Sequence, residues 1–379
     1  MTNRMRFENI VRGEPVDRMM TYDLIDNVEI LKRYGGYVPG GDYSFVDLVH
    51  INARALKGIG VDATRSIYDP SKHWMGSKIE NWIRFFGVDP DNWEVKTAGD
   101  TAWISKRPFA TVSELEKHLP QLPDREEIAA WYKPVLATIT EIFDDHDLVF
   151  LGGLEGPICD AYTYVDTELF CTAIYDAPEI VTHIMDCCGK FSSFVAEMYA
   201  ENPSAPIMFM GEDIAGSTGP IFSPDFIREQ GLPRWRWITE PLKKKGVSFL
   251  FHTDGRYGEL LPIILEELGA DGLNPIERMD CNDIFDIHAN YPDKLLFGNV
   301  CCASTLPYGP LDKIEDETLE LIEKLAPSGK LLIGSSSEVN DLVPPDYAAK
   351  LYSTVKKYGD YPIDVEAVQA RRKEIAQAK

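Results

Sequence analysis

The sequence has no long hydrophobic run. No stretch approaches the ~20 consecutive apolar residues that a membrane-spanning helix needs, and no apolar secretory core follows the polar residues 1–6. Positive charge is also scarce, because 38 Lys and Arg stand against 61 Asp and Glu, which gives a net charge of −23. Nucleic acids and anionic membranes bind basic patches, so this balance argues against both partners. We therefore expect a soluble cytoplasmic protein with neither a membrane nor a nucleic-acid partner.

Two further signatures are missing. No Gly-x-Gly-x-x-Gly or phosphate-loop sequence follows a predicted strand, so the sequence gives no support to a nucleotide-binding fold. The seven cysteines are an odd number in a large chain, which favours reduced thiols over a disulfide framework.

Apolar strand runs alternate with helical periods from about residue 126 onward. The runs lie at residues 148–151, 207–210, 249–251, 272–273, 295–297 and 331–333. This alternation predicts parallel βα units, and the number of units in one chain favours an α/β fold of the (β/α)8 TIM-barrel type over an open sheet. We predict a single domain over residues 1–379, in which residues 1–110 carry N-terminal helices and a small antiparallel β-meander insertion within residues 92–107.

Polar side chains follow four successive strands at the point where each strand stops being apolar. They are His252 and Asp254, then Asn274 and Glu277, then Asn299, Cys301 and Cys302, and finally Ser335, Ser336 and Ser337. The carboxyl ends of barrel strands meet at one face, which carries the active site in this fold. We therefore expect these side chains to share one site.

Imidazole, carboxylate and thiolate are the ligands that zinc takes, and a catalytic zinc keeps one position open for substrate. We predict a zinc ion bound through His252 with a subset of Asp254, Glu277, Cys301 and Cys302. Ordinary structural roles stay open for each residue. His252 could cap backbone carbonyls, Asp254 could belong to a turn before a glycine, Glu277 could pair with the neighbouring arginine, and the cysteines could be core thiols. Which of the two cysteines is a ligand also stays open.

Several short motifs together resemble the uroporphyrinogen decarboxylase superfamily. They are Arg-Gly-Glu-Pro-Val-Asp-Arg at residues 12–18, Gly211-Glu212-Asp213, Ser223-Pro224-Asp225-Phe226, His252-Thr253-Asp254-Gly255, Asn274-Pro275, Gly298-Asn299 and Pro344-Pro345. The resemblance covers nearly the whole chain. It is closer to the corrinoid-dependent methyltransferases than to the true decarboxylases, because the arginine-rich amino-terminal motif that grips porphyrinogen carboxylates is not visible. The resemblance implies a TIM barrel and zinc-dependent methyl transfer with a corrinoid (cobalamin) protein as partner.

The sequence departs from that branch at the metal ligands. In its thiol-methylating members the histidine is followed two residues later by a cysteine, and a second cysteine lies on the last strand; this chain has Asp254 and Ser336 or Ser337 there. Glu277 falls where the related cobalamin-independent methionine synthases place a glutamate ligand. Either the site holds zinc with an altered ligand set that draws on Cys301 or Cys302, or the metal has been lost. Carboxylate ligands make the ion a harder Lewis acid, which suits an oxygen ligand better than a thiol. We therefore expect a methyltransferase that moves a methyl group from a methoxylated small molecule to the Co(I) of a corrinoid protein.

Further roles and alternatives follow from this hypothesis. Asp213, Glu212 or Tyr257 would protonate the departing oxygen or orient the substrate, and Tyr162, Asn274 and Asn299 would contact it. Packing within the barrel is an equal interpretation of Tyr162. The alternative functions are a methylcobalamin:thiol methyltransferase, a metal-free decarboxylase, and a non-catalytic binding subunit for a corrinoid protein.

Overall fold

The computed structural model describes residues 1–98, 101–202, 204–278 and 282–378. The strands are β1 (Ile25–Asp26), β2 (Ala63–Thr64), β3 (Glu94–Ala98), β4 (Thr101–Lys106), β5 (Val149–Phe150), β6 (Gly152–Glu155), β7 (Ile207–Gly211), β8 (Ala215–Gly216), β9 (Gly219–Pro220), β10 (Ser248–His252), β11 (Gly272–Asn274), β12 (Leu295–Phe297), β13 (Leu331–Leu332) and β14 (Val339–Asn340).

The α-helices are α1 (Asn3–Arg12), α2 (Val28–Ile30), α3 (Phe45–Ile59), α4 (Trp74–Phe86), α5 (Val112–Leu115), α6 (Arg125–Asp145), α7 (Pro157–Val165), α8 (Thr167–Asp176), α9 (Pro178–Ala200), α10 (Pro224–Phe226), α11 (Leu232–Lys245), α12 (Ile284–Asn290), α13 (Thr305–Tyr308), α14 (Leu311–Leu325), α15 (Pro345–Tyr358) and α16 (Val365–Gln377). Short π-helical turns cover Leu31–Gly35, Ile227–Gly231 and Pro262–Glu267, and 3₁₀ turns cover Glu116–His118, Gly258–Leu260 and Ala326–Ser328.

Parallel strands form a closed barrel. Six of them pair in the order β13-β12-β11-β10-β7-β6, and β5, which continues into β6, pairs with β2. The segment before β1 closes the circuit, because Tyr22 pairs with Ala63 of β2 and Thr21 pairs with Ile333, directly after β13. The predicted (β/α)8 TIM barrel is therefore confirmed. Each predicted apolar run from residue 148 onward overlaps a barrel strand.

The barrel interior is filled by side chains. The rings of Tyr22, Phe209 and Phe297 contact one another with centroids 5.0–5.3 Å apart, and we call these three rings the aromatic floor. Phe7 of α1 approaches Phe297 at 6.4 Å and belongs to the same buried cluster. Helix α1 therefore closes the amino end of the barrel, while the aromatic floor closes the space below the carboxyl face.

The segment between β2 and the long helix α6 carries the insertion. It contains α4 and the antiparallel pair β3 and β4, in which Val95 lies opposite Ile104; residues 99 and 100 of this segment lie outside the described part. Ile104 is buried and contributes to the same hydrophobic core as the barrel helices. That shared core agrees with the prediction of an insertion on one domain, while the single-domain boundary itself stays a prediction.

Two expectations about the whole chain concern cysteines and membranes. Six cysteines fall in the described ranges, and each is a free thiol. Within those ranges no helix combines the length and the apolar character needed to cross a membrane.

Candidate metal centre at the carboxyl face

The direction of each side chain at the barrel mouth follows from the alternation along its strand. Phe209 of β7 and Leu250 of β10 point into the interior. Every second residue of a strand points to the same face. His252 at the end of β10 therefore points inward, as does Gly211 at the end of β7, and Asp213 follows two residues later on the same face. These two strands are neighbours in register, with His252 opposite Gly211. The polar residues that follow them therefore meet above the aromatic floor.

Asp213, His252 and Asp254 form a group with metal-binding geometry. Each offers one ligand atom, and the three atoms lie within 4.8 Å of one another. The backbone N–H of Asp254 donates to Oδ1 of Asp213 at 3.3 Å, which fixes the two acids side by side. Oδ1 of Asp254 is buried and has no hydrogen-bond partner among the described residues. A bound cation would satisfy this oxygen, so the residues fit a divalent metal with two carboxylates and one imidazole as ligands.

The two acids of this group resist ionisation when no cation is bound. Burial, followed by the charges of Asp213, Glu277 and Glu338, raises the pKa of Asp254 to about 8. Burial, followed by the charge of Glu155, raises the pKa of Asp213. A divalent cation would favour the charged form of both carboxyls, because metal binding and proton release are linked.

His252 is held in its neutral form. Burial, followed by the charge of Arg65, lowers the pKa of His252 well below its usual value, and neutral imidazole is the form that binds a metal. Nδ1 of His252 lies 2.8 Å from Oδ1 of Asn274 and 3.0 Å from Nη2 of Arg65. Since Asn274 engages Nδ1, Nε2 is the nitrogen that remains for a metal, and Nη2 of Arg65 lies 3.5 Å from it.

Glu212, a predicted proton donor, points away from this group and supports helix α7. Its carboxylate accepts hydrogen bonds from the backbone N–H of Ile158 at 3.1 Å, the backbone N–H of Cys159 at 2.9 Å and the indole N–H of Trp235 at 2.7 Å. The first two donors belong to the first turn of α7, whose N-cap residue, Gly156, has no side chain to cap it. Burial raises the pKa of Glu212 to about 8 against the effect of these donors. Consecutive residues of an extended segment point to opposite faces. Glu212 therefore points away from the metal-binding group, whereas Asp213 points into it.

Tyr257 and Asn299 are also engaged by the backbone. The hydroxyl of Tyr257 donates to the carbonyl of Pro275 at 2.7 Å. Asn299 is fully buried; its amide donates to the carbonyl of Ile276 at 2.6 Å and its Oδ1 accepts from Arg278 at 3.1 Å. These bonds hold both side chains against the backbone. Of the three predicted proton donors, only Asp213 belongs to the group with metal-binding geometry.

The other two predicted substrate contacts lie beside the metal-binding group. The hydroxyl of Tyr162 donates to the backbone carbonyl of Asp213 at 2.6 Å, and its ring packs near Phe222 with centroids 6.2 Å apart. Asn274 contacts His252 through its oxygen, while its Nδ2 is buried without a partner in the described part of the chain. Tyr162 thus fixes the loop that carries Asp213, and Asn274 orients the imidazole.

Glu277, Cys301 and Cys302 do not join the group found among the described residues. Glu277 accepts a hydrogen bond from the backbone N–H of Gly255 at 3.2 Å. The sulfur of Cys301 accepts from the hydroxyl of Ser304 at 3.1 Å, and that of Cys302 from the hydroxyl of Ser336 at 3.2 Å. Burial raises the pKa of Cys302 to about 11, whereas a thiol must lose its proton to bind a metal. The assignment of these residues as ligands stays a prediction.

Sequence reasoning missed Arg65, which contacts His252 from the end of β2. Its Nε donates to the hydroxyl of Tyr22 at 3.1 Å, and its guanidinium lies 5.3 Å from the ring centroid of Phe209. The only signal was the position of Arg65 directly after the two-residue strand β2. Lys78 of α4 was missed as well; it pairs with Glu155 at the end of β6 at 3.3 Å.

A family model and one solved structure agree with this architecture. The model of the family described as "Uroporphyrinogen decarboxylase (URO-D)" matches residues 94–358. Among solved structures, a methyltransferase from Methanosarcina mazei is 18% identical, with a TM-score of 0.68, over 94% of this chain and 99% of that one. A putative vitamin-B12 independent methionine synthase from Listeria monocytogenes is 12% identical, with a TM-score of 0.43, over 90% of this chain and 96% of that one. No sequence among the curated proteins matches the chain. Because the family model covers most of the sequence, including Asp213, His252 and Asp254, the chain belongs to the uroporphyrinogen decarboxylase family.

Proposed function

We propose that this protein is a metal-dependent methyltransferase that moves a methyl group from a methoxylated small molecule to the Co(I) of a corrinoid protein. The observation that carries the proposal is the group of Asp213, His252 and Asp254 at the carboxyl face of the barrel. Family membership and the barrel fold shared with the Methanosarcina methyltransferase support it.

The donor set indicates the metal and the type of substrate. Asp213, His252 and Asp254 would hold one divalent ion, with zinc as our choice, and the ion would supply Lewis-acid polarisation of a substrate oxygen. Two carboxylates and one imidazole are a harder ligand set than a thiolate-rich site, and hard ligands favour an oxygen substrate over a thiol. An ether oxygen is therefore a better match to this site than a thiol sulfur.

The surrounding residues of this chain hold that geometry in place. Asn274 orients the His252 ring through Nδ1, which leaves Nε2 facing a ligand. Glu212 fixes the start of α7 and thereby the turn that leads from β7 to Asp213. The buried rings of the aromatic floor close the lower side of the site, and this low-polarity boundary strengthens the charge interactions above it.

A spectroscopic assay tests the proposal. The zinc-loaded enzyme is mixed with reduced cob(I)alamin as a surrogate acceptor and a panel of methoxylated benzoates, and the cobalamin absorption spectrum is recorded. We expect conversion to methylated cobalamin with the wild-type enzyme and none with His252→Ala. Elemental analysis of the same samples should give one zinc per chain.

The assay also separates the alternative functions. Rapid demethylation of methylcobalamin by a small thiol, with methoxylated compounds left untouched, would replace the proposal with thiol methylation. Decarboxylation of a porphyrinogen by protein that contains no metal would replace it with the decarboxylase activity. Absence of metal together with absence of all three activities would favour a non-catalytic binding subunit.

A further inference from the structure

Glu155 ends strand β6 at the barrel mouth, close to the metal-binding group. In the register of the parallel strands, Glu155 lies opposite Gly211 of β7, and Gly211 lies opposite His252 of β10. Residues that lie opposite each other in a sheet point to the same face, so Glu155 points into the barrel as His252 does. Glu155 is not one of the three residues with metal-binding geometry, Asp213, His252 and Asp254. It therefore faces that group across the position of Gly211.

Gly211 leaves a gap between Glu155 and His252. A Cβ built on Gly211 would lie 3.9 Å from Oε2 of Glu155 and 3.9 Å from Cδ2 of His252, and the nearest atom would be a backbone oxygen at 3.8 Å. A methyl group would therefore fit there without overlap. At other barrel positions packing requires the glycine, since a Cβ at Gly272 would overlap the backbone of Leu295. Neither such an overlap nor a left-handed φ accounts for Gly211, and we call the space beside it the Gly211 gap.

Lys78 of helix α4 holds the Glu155 carboxylate at this gap. Its Nζ lies 3.3 Å from Oε2 of Glu155 and 3.3 Å from Oδ1 of Asp160, and only 9% of the Lys78 side chain is exposed. Burial favours the neutral amine, but the charges of Glu155 and Asp160 outweigh burial and raise the pKa of Lys78. The hydroxyl of Ser192 donates to the backbone carbonyl of Glu155 at 2.7 Å and fixes the end of β6. Glu155 is therefore placed by its strand and by a buried ammonium.

The Glu155 carboxylate can accept a further hydrogen bond from a bound molecule. Its side chain is 49% exposed, and in the described part of the chain no donor reaches Oε1, whereas Lys78 and the Cys159 thiol both contact Oε2. A carboxylate paired with an ammonium has no proton to give, so Glu155 serves as an acceptor and not as the acid that protonates a departing oxygen. A cationic donor would be repelled by a metal ion bound across the gap. A neutral hydroxyl is therefore the group that matches this position.

We propose that Glu155 determines substrate specificity by accepting a hydrogen bond from a hydroxyl group adjacent to the reacting methoxyl. The Gly211 gap provides the room for this hydroxyl between Glu155 and the metal-binding group. The inference rests on the proposed function and narrows its substrate class to compounds in which a hydroxyl and a methoxyl occupy neighbouring carbon atoms, as in ortho-methoxyphenol. A compound without that hydroxyl would leave the carboxylate facing the substrate without a hydrogen bond, which weakens binding.

Binding without turnover is the first test. The zinc-loaded, full-length protein is titrated with ortho-methoxyphenol, para-methoxyphenol and ortho-dimethoxybenzene by calorimetry, with no cobalamin present. We expect ortho-methoxyphenol to bind about 10- to 100-fold more tightly than ortho-dimethoxybenzene, because only the first compound can donate a hydrogen bond to a charged acceptor. Para-methoxyphenol carries the same hydroxyl at a distance from the methoxyl, so it should bind as weakly as ortho-dimethoxybenzene.

Substitutions test the two parts of the site. Glu155→Met should bind the three compounds with similar affinity, and Glu155→Gln, which keeps a polar partner for Lys78, should lose part of the preference for ortho-methoxyphenol. Gly211→Ala fills the gap with one methyl group and should weaken the binding of ortho-methoxyphenol about tenfold while zinc is retained. Glu94→Gln is the matched control and should keep the preference, because Glu94 also pairs with a lysine at 3.3 Å but lies on the insertion hairpin.

Several outcomes would overturn the proposal. Equal affinity of the wild type for ortho-methoxyphenol and ortho-dimethoxybenzene would do so, and so would a preference that survives in both Glu155 variants or disappears in Glu94→Gln. Unchanged binding of ortho-methoxyphenol in Gly211→Ala would show that the gap does not receive the hydroxyl. Thermal unfolding identifies any variant that fails to fold. If both Glu155 variants fail to fold, the wild-type preference and the result for Gly211→Ala decide the question.

A methyl-transfer assay separates this inference from the proposed function. The rate at which cob(I)alamin becomes methylated is compared for ortho-methoxyphenol and ortho-dimethoxybenzene, and a higher rate with the former that Glu155→Met removes would support both. If the hydroxyl preference appears in binding and no methylated cobalamin forms from any methoxylated compound, the proposed function is wrong and the binding role of Glu155 stands. If methylated cobalamin forms equally fast from both compounds, the proposed function stands and selection by Glu155 is wrong.

Discussion

The two sides of the barrel mouth carry similar residue types in different states. After β7 and β10, Asp213, His252 and Asp254 converge, and one oxygen of Asp254 is buried without a partner in the described structure. After β12, Cys301 and Cys302 each accept a hydrogen bond from a serine hydroxyl. We call these the open side and the satisfied side. From this difference we expect a metal ion on the open side, where a carboxylate oxygen lacks a partner, and none on the satisfied side.

The largest expected effect separates the two sides directly. His252→Ala should abolish stoichiometric zinc binding, because it removes the one nitrogen ligand, while the barrel stays folded since a strand-end side chain contributes little to the core. Cys301→Ser and Cys302→Ser should keep one zinc per chain. Elemental analysis after gel filtration measures this. Loss of zinc in either cysteine variant would make the satisfied side part of the metal site and end the comparison.

The pH dependence of zinc binding sharpens the description of the open side. The pKa of Asp254 is about 8 in the metal-free protein, so below that pH a proton must leave when the ion binds. Zinc affinity should therefore fall as the pH drops from about 8, by up to about tenfold per pH unit. Calorimetric titration between about pH 6 and pH 9 measures the slope. Asp254→Asn should bind more weakly with a flatter slope, and an unchanged steep slope would assign the proton to another group.

The same pKa shift has a consequence for stability. The folded-state pKa of Asp254 lies above the ordinary aspartate value of 3.8, so the buried acid favours folding in its protonated form. Its contribution to the stability of the metal-free protein is present below about pH 4 and is lost as the pH rises through 8. Asp254→Asn should remove this loss.

A smaller effect is expected at the support behind the open side. A Cβ at Gly156 would overlap the carboxylate of Glu212, so Gly156→Ala should disturb the cap of α7. We expect a decrease of about 1–3 kcal/mol in the free energy of unfolding. Gly76→Ala in α4 is the control, because nothing lies within 4 Å of its Cβ position, and it should increase stability by about 0.5–1 kcal/mol. Urea denaturation measures the free energy of unfolding of both variants. Similar changes in the two variants would argue against the support role of Glu212.

The smallest effect is expected on the satisfied side. Ser336→Ala removes the hydroxyl that donates to the sulfur of Cys302 and accepts from its backbone N–H. We expect a loss of about 1–2 kcal/mol in the free energy of unfolding and no change in zinc content. A change in zinc affinity would show that the two sides are coupled.

The alternation of apolar and polar residues was enough to predict the barrel and the position of His252 and Asp254. Counting in twos along β7 would also have separated Asp213 from Glu212, because their side chains face opposite ways. Arg65 follows the two-residue strand β2. So short a strand has too few residues to show an alternation of apolar and polar side chains. The state of Cys301 and Cys302 could not be predicted, since it depends on hydroxyls that the tertiary structure brings to them.

The closed interior of the barrel has a kinetic consequence. Helix α1 and the aromatic floor block the path from the amino end, so a small molecule reaches Asp213, His252 and Asp254 from the carboxyl face. A corrinoid protein that delivers its cobalt to the proposed site would approach through the same opening. Substrate and partner would then follow a fixed sequence, in which the small molecule enters first and its demethylated product departs after the partner has left.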